Sequence, residues 1–560
     1  MSGNDTILSV SNLDIKFPGP PAFTAIHDLS FSIGKGKTLA IVGESGSGKS
    51  LTALGIMGLL PKTAILQGDL QLTTNNASIN RLTAYDLRLT TKIRGKEIGM
   101  VFQEPMSSLN PVMSIGKQLN EAILAHQKIS GSAAKNLAID WLRKVQLPNP
   151  ERIYDRYPHE LSGGQKQRVV IAIAMCNHPA LLIADEPTTA LDATVQQEII
   201  RLMSFLQQEH NSAMIFITHD LALAATIADD IMVMYKGGRI EYGPAAQVLQ
   251  HPQHAYTQAL LACRPSPDNK GHRLPVVSDF LNATQKPEVI VSDDAPVISA
   301  TGKLLLEVKD LRIWFPADKN ILGKPQHYFK AVDGVSFTLN KGEILGLVGE
   351  SGCGKSTISR SLIGLIPAHS GAMLFNGQDL TQLSVKDWGR VRTQIQMIFQ
   401  DPYSSLNPRM TIGNMLMEPM ATHNTVQKQE LHKEALRLLD LVQLPATALQ
   451  KYPHEFSGGQ RQRIGIARAL SLRPQLLICD ESVSALDVSI QAQVLNLLKD
   501  LQHEFGLTYL FISHDLSVVH YISDRVMVMR AGKIVESGDT RDLLIHPREE
   551  YTKRLIDAMP

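Results

Sequence analysis

Gly43-Glu44-Ser45-Gly46-Ser47-Gly48-Lys49-Ser50 and Gly349-Glu350-Ser351-Gly352-Cys353-Gly354-Lys355-Ser356 both read G-x-x-x-x-G-K-S. Glycines so spaced let backbone N–H groups turn toward one anion, and a following helix adds the partial positive charge of its N-terminus. The lysine, Lys49 or Lys355, then reaches the β- and γ-phosphates of a nucleotide, and the hydroxyl of Ser50 or Ser356 ligates Mg²⁺. Each stretch follows an apolar run that reads as a buried strand (Leu39 to Val42, Leu345 to Val348). Each precedes a run that reads as a helix (Leu51 to Leu60, Thr357 to Leu365). A chance glycine-rich turn would not carry both flanks, still less carry them twice.

Further candidates lie downstream of each loop. Leu181 to Ala184 and Leu476 to Cys479 are continuously apolar, as a strand buried on both faces requires, and each ends in Asp-Glu. Ligands of open α/β sheets sit beyond the carboxyl ends of strands. Asp185 and Asp480 are therefore expected to hold Mg²⁺ through its water, and Glu186 and Glu481 to polarise an attacking water. Ser162-Gly163-Gly164-Gln165 and Ser457-Gly458-Gly459-Gln460 each precede a helical run. The serine suits an N-cap, and the repetition in register points to a γ-phosphate contact. His219 and His514 end a strand and read as γ-phosphate sensors. Gln103 and Gln400 are candidates for Mg²⁺ or for the attacking water. Phe17 and Phe315 carry two readings, stacking on adenine and plain core packing.

The elements that must place these residues are stated twice. Residues 5–263 match 304–560 from the opening strand (Leu13 to Pro18, Leu311 to Pro316) through Ala25 to Phe31 and Ala331 to Phe337, both read as strands near a sheet edge. Asp185 to His219 and Asp480 to His514 both span 34 positions, whereas Lys49 to Gln103 spans 54 and Lys355 to Gln400 spans 45. The excess falls near Thr73 to Ala84 and is expected to be a surface loop. Strands alternating with helices indicate an α/β fold. Residues 112–160 and 409–455 read as a smaller helical subdomain in each half. Residues 264–303, with Pro265, Pro267, Pro275, Pro287 and Pro296, read as a linker, partly extended, or as an ordered appendage of the first half.

Composition narrows the class. The chain has 560 residues, 44% apolar and 19% charged, with net charge +1, which gives no long-range field toward nucleic acid or an anionic membrane. Cys176, Cys263, Cys353 and Cys479 are far apart, against a zinc or disulfide framework and in keeping with a reducing compartment. MSGNDTILSV lacks the pattern of a secretory leader, and no run of about 18 apolar residues is present, so any membrane role is expected to come through partners.

In this order the motifs resemble the nucleotide-binding domains of ATP-binding cassette proteins. The resemblance rests on both phosphate loops, both S-G-G-Q signatures, both Asp-Glu pairs, the Ala-Leu-Asp segments (Ala190 to Asp192, Ala485 to Asp487) and both histidines. Tyr157 to Glu160, Tyr452 to Glu455, Ser-Ser-Leu-Asn-Pro (Ser107 to Pro111, Ser404 to Pro408) and His-Pro-x-x-x-Tyr-Thr (His251 to Thr257, His546 to Thr552) are similar to the oligopeptide/dipeptide/nickel importer ATPases, with two subunits fused. The resemblance implies two tandem P-loop, RecA-like domains (5–263 and 304–560), each with an antiparallel β subdomain and a helical subdomain. It implies a head-to-tail sandwich of two ATP, that on Lys49 closed by Ser457 and Gly459, that on Lys355 by Ser162 and Gly164. It further implies ATP and Mg²⁺ as cofactors, two membrane-spanning permeases and an extracytoplasmic solute-binding protein as partners, and a place on the cytoplasmic face of the inner membrane. Some members of that group bind an iron–sulfur centre through a cysteine cluster after His-Pro-x-x-x-Tyr-Thr. Here Cys263 stands alone, so none is expected. Ser482 replaces the proline found at Pro187, which puts the loop after Glu481 in question.

A second class, a soluble tandem cassette ATPase acting on ribosomes, would join its halves by a long charged helix, and the proline-rich stretch here differs. Because each lysine supplies charge to the β/γ-phosphates, Lys49→Ala and Lys355→Ala should each strongly impair transport in cells. Full activity in either single variant would contradict two required sites.

Overall fold

The structure is a computed structural model that describes residues 6–20, 22–74, 77–80, 92–103, 108–189, 191–266, 269–281, 302–319, 325–401, 405–484 and 486–557. The first half runs β1 (Thr6–Phe17), β2 (Phe23–Gly34), β3 (Thr38–Val42), β4 (Ile65–Thr74), β5 (Ala77–Asn80), β6 (Ile98–Val101), β7 (Leu181–Asp185), β8 (Ala213–Thr218), β9 (Asp230–Tyr235) and β10 (Gly238–Pro244). The second repeats it as β11 (Leu304–Lys319), β12 (Pro325–Asn340), β13 (Ile344–Val348), β14 (Ser370–Phe375), β15 (Gln378–Asp379), β16 (Ile395–Ile398), β17 (Leu476–Asp480), β18 (Thr508–Ser513), β19 (Arg525–Arg530) and β20 (Lys533–Asp539).

Each half has a six-stranded sheet, β10-β9-β3-β8-β7-β6 and β20-β19-β13-β18-β17-β16, parallel except at its β10 or β20 edge. Its central strands are buried along their whole length, because helices or a second sheet cover both faces. The period of two divides them cleanly. Leu181, Ile183, Ile215 and Ile217 face the phosphate-loop helix and a four-stranded antiparallel sheet, β2-β1-β4-β5. Leu182, Ala184, Met214 and Phe216 face the helical subdomain. The second half repeats the division with Leu476, Ile478, Leu510 and Ile512 on one face and Leu477, Cys479, Tyr509 and Phe511 on the other.

Three expectations change. Ala25 to Phe31 lies on the edge strand β2, but the opening strands β1 and β11 lie inside their sheets, paired on both sides. The insertion of the first half is partly a longer hairpin, not only a loop. β4 and β5 add the pairs Thr73↔Ser78 and Thr74↔Ala77, whereas β14 and β15 turn directly after Phe375↔Gln378. The rest of the insertion, 81–84, falls outside the described residues, as do Ser107, Ala190, Ser404, Ala485 and 282–301.

The third change concerns the proline-rich stretch. Over its described part, up to Leu281, it is packed on the second half and ends in a helix, Val277–Leu281. Leu274 donates its N–H to Asn496 Oδ1 (3.0 Å) and accepts from Asn496 Nδ2 at its carbonyl (2.8 Å), so one side-chain amide pairs as a neighbouring strand would. Tyr521 donates to the His272 carbonyl (3.0 Å), and Arg273 pairs with Asp500 (2.8 Å). Leu274 and Val277 join Tyr256 and Cys263 of the first half and Leu497 and Tyr521 of the second in one continuous core. Cys263 is fully buried there. Proline content argues for extension only where no partner satisfies the backbone, and here Asn496 does. Asn496→Ala should strand two buried backbone groups and lower stability by at least about 2 kcal/mol. Thermal unfolding measures this, with faster tryptic cleavage at Arg273 as its local sign; an unchanged melting temperature would contradict it.

Candidate active site

Each phosphate loop joins a fully buried strand to a helix, Lys49–Ile56 or Lys355–Leu362. Gly48 (φ +103°) and Gly354 (φ +114°) cap these helices in a conformation that L side chains rarely adopt. A Cβ at Gly354 would stand 2.3 Å from the Ala331 carbonyl oxygen. A Cβ at Gly46 or Gly352 would meet nothing within 4 Å, so the space over both loops is open. Lys49 Nζ, buried, donates to the carbonyls of Gly43 (2.6 Å) and Glu44 (3.0 Å) and lies 3.9 Å from Glu186 Oε1. Lys355 repeats this on Gly349 (2.6 Å), Glu350 (3.0 Å) and Glu481 (3.8 Å).

Ser50 Oγ donates to Asp185 Oδ1 at 3.0 Å, as Ser356 does to Asp480 at 3.0 Å. Burial pushes the Asp185 carboxyl up to about 6 against the Ser50 hydrogen bond, and Asp480 moves the same way. Glu186 and Glu481 adopt left-handed backbone (φ +45° and +47°), a strained choice for a glutamate that turns each side chain off the strand end. Their N–H groups donate to Ile217 (3.0 Å) and Ile512 (2.9 Å), so Ser482 in place of proline leaves the second loop unchanged. Gln103 Nε2 donates to Glu186 Oε2 (3.1 Å) and Gln400 Nε2 to Glu481 Oε2 (2.7 Å). His219 Nδ1 stands 3.4 Å from Glu186 and His514 Nδ1 3.5 Å from Glu481. Burial acts to raise both glutamates, but the histidine and then the lysine outweigh it and hold the carboxylates below their usual range. Burial likewise acts to lower both histidines, and the glutamate partner reverses it, so their net shift is upward.

At the first phosphate loop, contacts between the halves come from the Ala-Leu-Asp segment and the start of the helix after it. Asp487 accepts from Ser45 N–H (3.1 Å) and Ser45 Oγ (3.3 Å), and Ser489 donates to Glu44. A cavity of about 170 Å³ there is lined by Glu186, His219, Asp487 and His514 among others. Ser162 and Ser457 cap their own helices, accepting from Gln165 N (3.3 Å) and Gln460 N (3.4 Å). Gly164 and Gly459 pack closely on Val195 and Ile490, on the helices that follow Asp192 and Asp487. Phe17 packs against the core of the first half, whereas Phe315, paired with Phe329, is exposed.

Some site residues had no signal of their own in the sequence. Thr189 Oγ1 donates to Glu186 Oε2 (3.1 Å). Tyr256 and Tyr551 accept from the loop N–H groups of Glu44 (3.0 Å) and Glu350 (3.1 Å). Both tyrosines stand in the His-Pro-x-x-x-Tyr-Thr segments, so the motif was visible and its target was not.

A doubled P-loop α/β fold with this set of side chains is that of an ATP-binding cassette ATPase, and the chain belongs to that family. The ABC transporter family model matches residues 26–189 and 332–484, and the oligopeptide/dipeptide transporter C-terminal region matches 240–287 and 535–560. The chain is similar to the glutathione import ATP-binding proteins of Pectobacterium atrosepticum (45% identical) and of Escherichia coli K12 and Shigella boydii (46% each). Each alignment covers 99% of this chain and 89% of the relative. The chain is therefore an ATPase that binds and hydrolyses ATP to power a membrane importer, and its partners include membrane permeases. The ribosomal alternative finds no support among these relatives. Among the described residues no helix is long and apolar enough to cross a membrane.

A thiol near a helix N-terminus and beside a lysine is ordinarily activated as a nucleophile, and Cys353 has both neighbours in the sequence. Instead the side chain points under the loop into the core, 7% exposed, and burial outweighs Lys355 and raises its pKa. Ser47 occupies the same place in the first loop, its hydroxyl buried with no hydrogen-bond partner among the described residues. Maleimide should therefore leave Cys353 unmodified in native protein and label it on unfolding, as peptide mapping would record. Rapid native labelling that ATP suppresses would instead show an accessible, activated thiol.

Proposed function

We propose that the chain couples ATP hydrolysis at two competent sites to the import of small peptide-class solutes, glutathione among them. It would act at the cytoplasmic face of the inner membrane, on two permeases fed by an extracytoplasmic solute-binding protein, as two cassette domains at 5–263 and 304–560. The observation that carries this reading is that Asp487 of the second half sits on Ser45 of the first half's phosphate loop, beside a complete catalytic set. The relatives' description as glutathione import proteins supports the solute class.

Both halves keep lysine, aspartate, glutamate, glutamine and histidine in matching contacts, which supports equal competence. Lys49 and Lys355 bind the β/γ-phosphates while each keeps its contact to the Gly43 or Gly349 carbonyl. Glu186 and Glu481, ionised and aimed by Gln103 or Gln400 and by His219 or His514, accept a proton from the attacking water. The histidines, positively shifted by those glutamates, lie where γ-phosphate charge develops. Ser162 with Gly164, and Ser457 with Gly459, close over the opposite nucleotide. Phe315 and Phe17 flank the adenine.

The donor set fits a hard divalent cation. Hydroxyl, carboxylate and amide oxygens of Ser50, Asp185 and Gln103, or of Ser356, Asp480 and Gln400, suit Mg²⁺ better than a softer metal. Bound there, Mg²⁺ would offset phosphate charge.

Glu186→Gln with Glu481→Gln should retain ATP binding while hydrolysis falls by a factor of about 10² or more, since the amide keeps shape and loses the base. Cells carrying the pair should lose uptake of labelled glutathione while nucleotide stays trapped on the purified chain. Normal turnover would contradict the glutamate roles, and normal glutathione uptake in cells lacking the chain would contradict the solute class.

A further inference from the structure

Tyr256 and Tyr551 touch the phosphate loops at a telling place. The N–H that Tyr256 accepts, from Glu44, and the carbonyl that holds Lys49 Nζ, on Gly43, belong to one peptide group. The second half repeats this on the Gly349–Glu350 peptide, with Tyr551 at 3.1 Å on one side and Lys355 at 2.6 Å on the other. A trans peptide is a rigid plane whose N–H and C=O point opposite ways, so fixing one direction fixes the other. We propose that Tyr256 and Tyr551 are positioning residues that orient this peptide, and through its carbonyl the phosphate-binding lysine, for ATP.

The tyrosines are themselves held. Tyr256 is fully buried and lies 4.4 Å from Tyr235, centroid to centroid; Tyr551 is buried with Arg530 over its ring at 4.9 Å. Ahead of each ring, a glutamate on the sheet's last strand ties down the motif. Glu241 accepts from Gln253 N (2.8 Å) and His254 N (3.2 Å), and Glu536 from Arg548 N (2.8 Å) and Glu549 N (3.2 Å). Both tyrosines fall in the C-terminal region that matches the oligopeptide/dipeptide transporters. In the first half this region continues into the segment anchored on Asn496 and Asp500, so the loop of one site is tied through Tyr256 to the body of the other half.

The inference rests on the reading that Lys49 and Lys355 bind the phosphates, and a double-mutant cycle separates the two. Tyr256→Phe with Tyr551→Phe keeps the rings and removes the acceptors. Lys49→Arg with Lys355→Arg keeps the charge and disturbs the carbonyl contact. MgATP affinity of the full chain is measured by calorimetry for wild type, each pair and all four changes. The tyrosine pair should weaken binding about fivefold or more, as the loss of a hydrogen bond to a buried group implies. In the arginine background it should add less than twofold, because the tyrosine then has no lysine to orient. Unchanged affinity in the tyrosine pair, or an equal penalty in both backgrounds, overturns the inference. Arginine variants that bind as wild type would instead sink the lysine reading and the inference with it. Should the tyrosine pair fail to fold, each single Tyr→Phe carries the same cycle with the lysine of its own half.

Discussion

A buried ammonium needs several oxygen partners, because an unpaired charge in a protein interior is severely penalised. Lys49 and Lys355, 5% and 4% exposed, meet that need with two loop carbonyls each and a glutamate just under 4 Å away. Much of each half is arranged to make those partners available. Glycines let the loop wrap the lysine, the parallel sheet delivers Glu186 or Glu481 at a strand end, and a tyrosine near the end of the same half fixes the carbonyl's direction. An ammonium has three N–H donors, so one lysine can hold both the loop carbonyl that aims it and a nucleotide's phosphates.

The glutamates show how the two halves converge on one arrangement from different sequences. Glu186 is followed by proline and Glu481 by serine, yet both sit at φ near +45° with the same N–H contact to the neighbouring strand. The sheet register sets that conformation, not the next residue. The loop interior tolerates Ser47 and Cys353 alike because that position faces the core, where a thiol packs as a small apolar group and a hydroxyl finds no partner among the described residues.

The halves are joined by more than chain continuity. Apolar residues of the first half's last helix, of the following segment and of the second half's helices form one core, with Asn496 satisfying backbone that would otherwise be stranded. The contact at Asp487 is one-sided: it binds Ser45, while among the described residues its counterpart Asp192 acts on Cys353 and His514 only through its charge. Duplication therefore yields two alike sites in unlike surroundings.

The sequence by itself determined the duplication, the α/β class, both phosphate loops, the Asp-Glu pairs and the histidines. These depend on local facts: glycines where the backbone must bend around an anion, apolar runs where a strand is covered on both faces, and identical spacing in both halves. Only the tertiary structure decided which way Cys353 points, because burial against Lys355 is a contest between desolvation and charge that spacing does not record. Only it decided that the proline-rich stretch docks, since its partner Asn496 lies 222 positions away. And only it joined Tyr256 to Glu44, 212 residues apart, because a hydrogen bond between a side chain and a distant backbone N–H leaves no periodic trace in either segment.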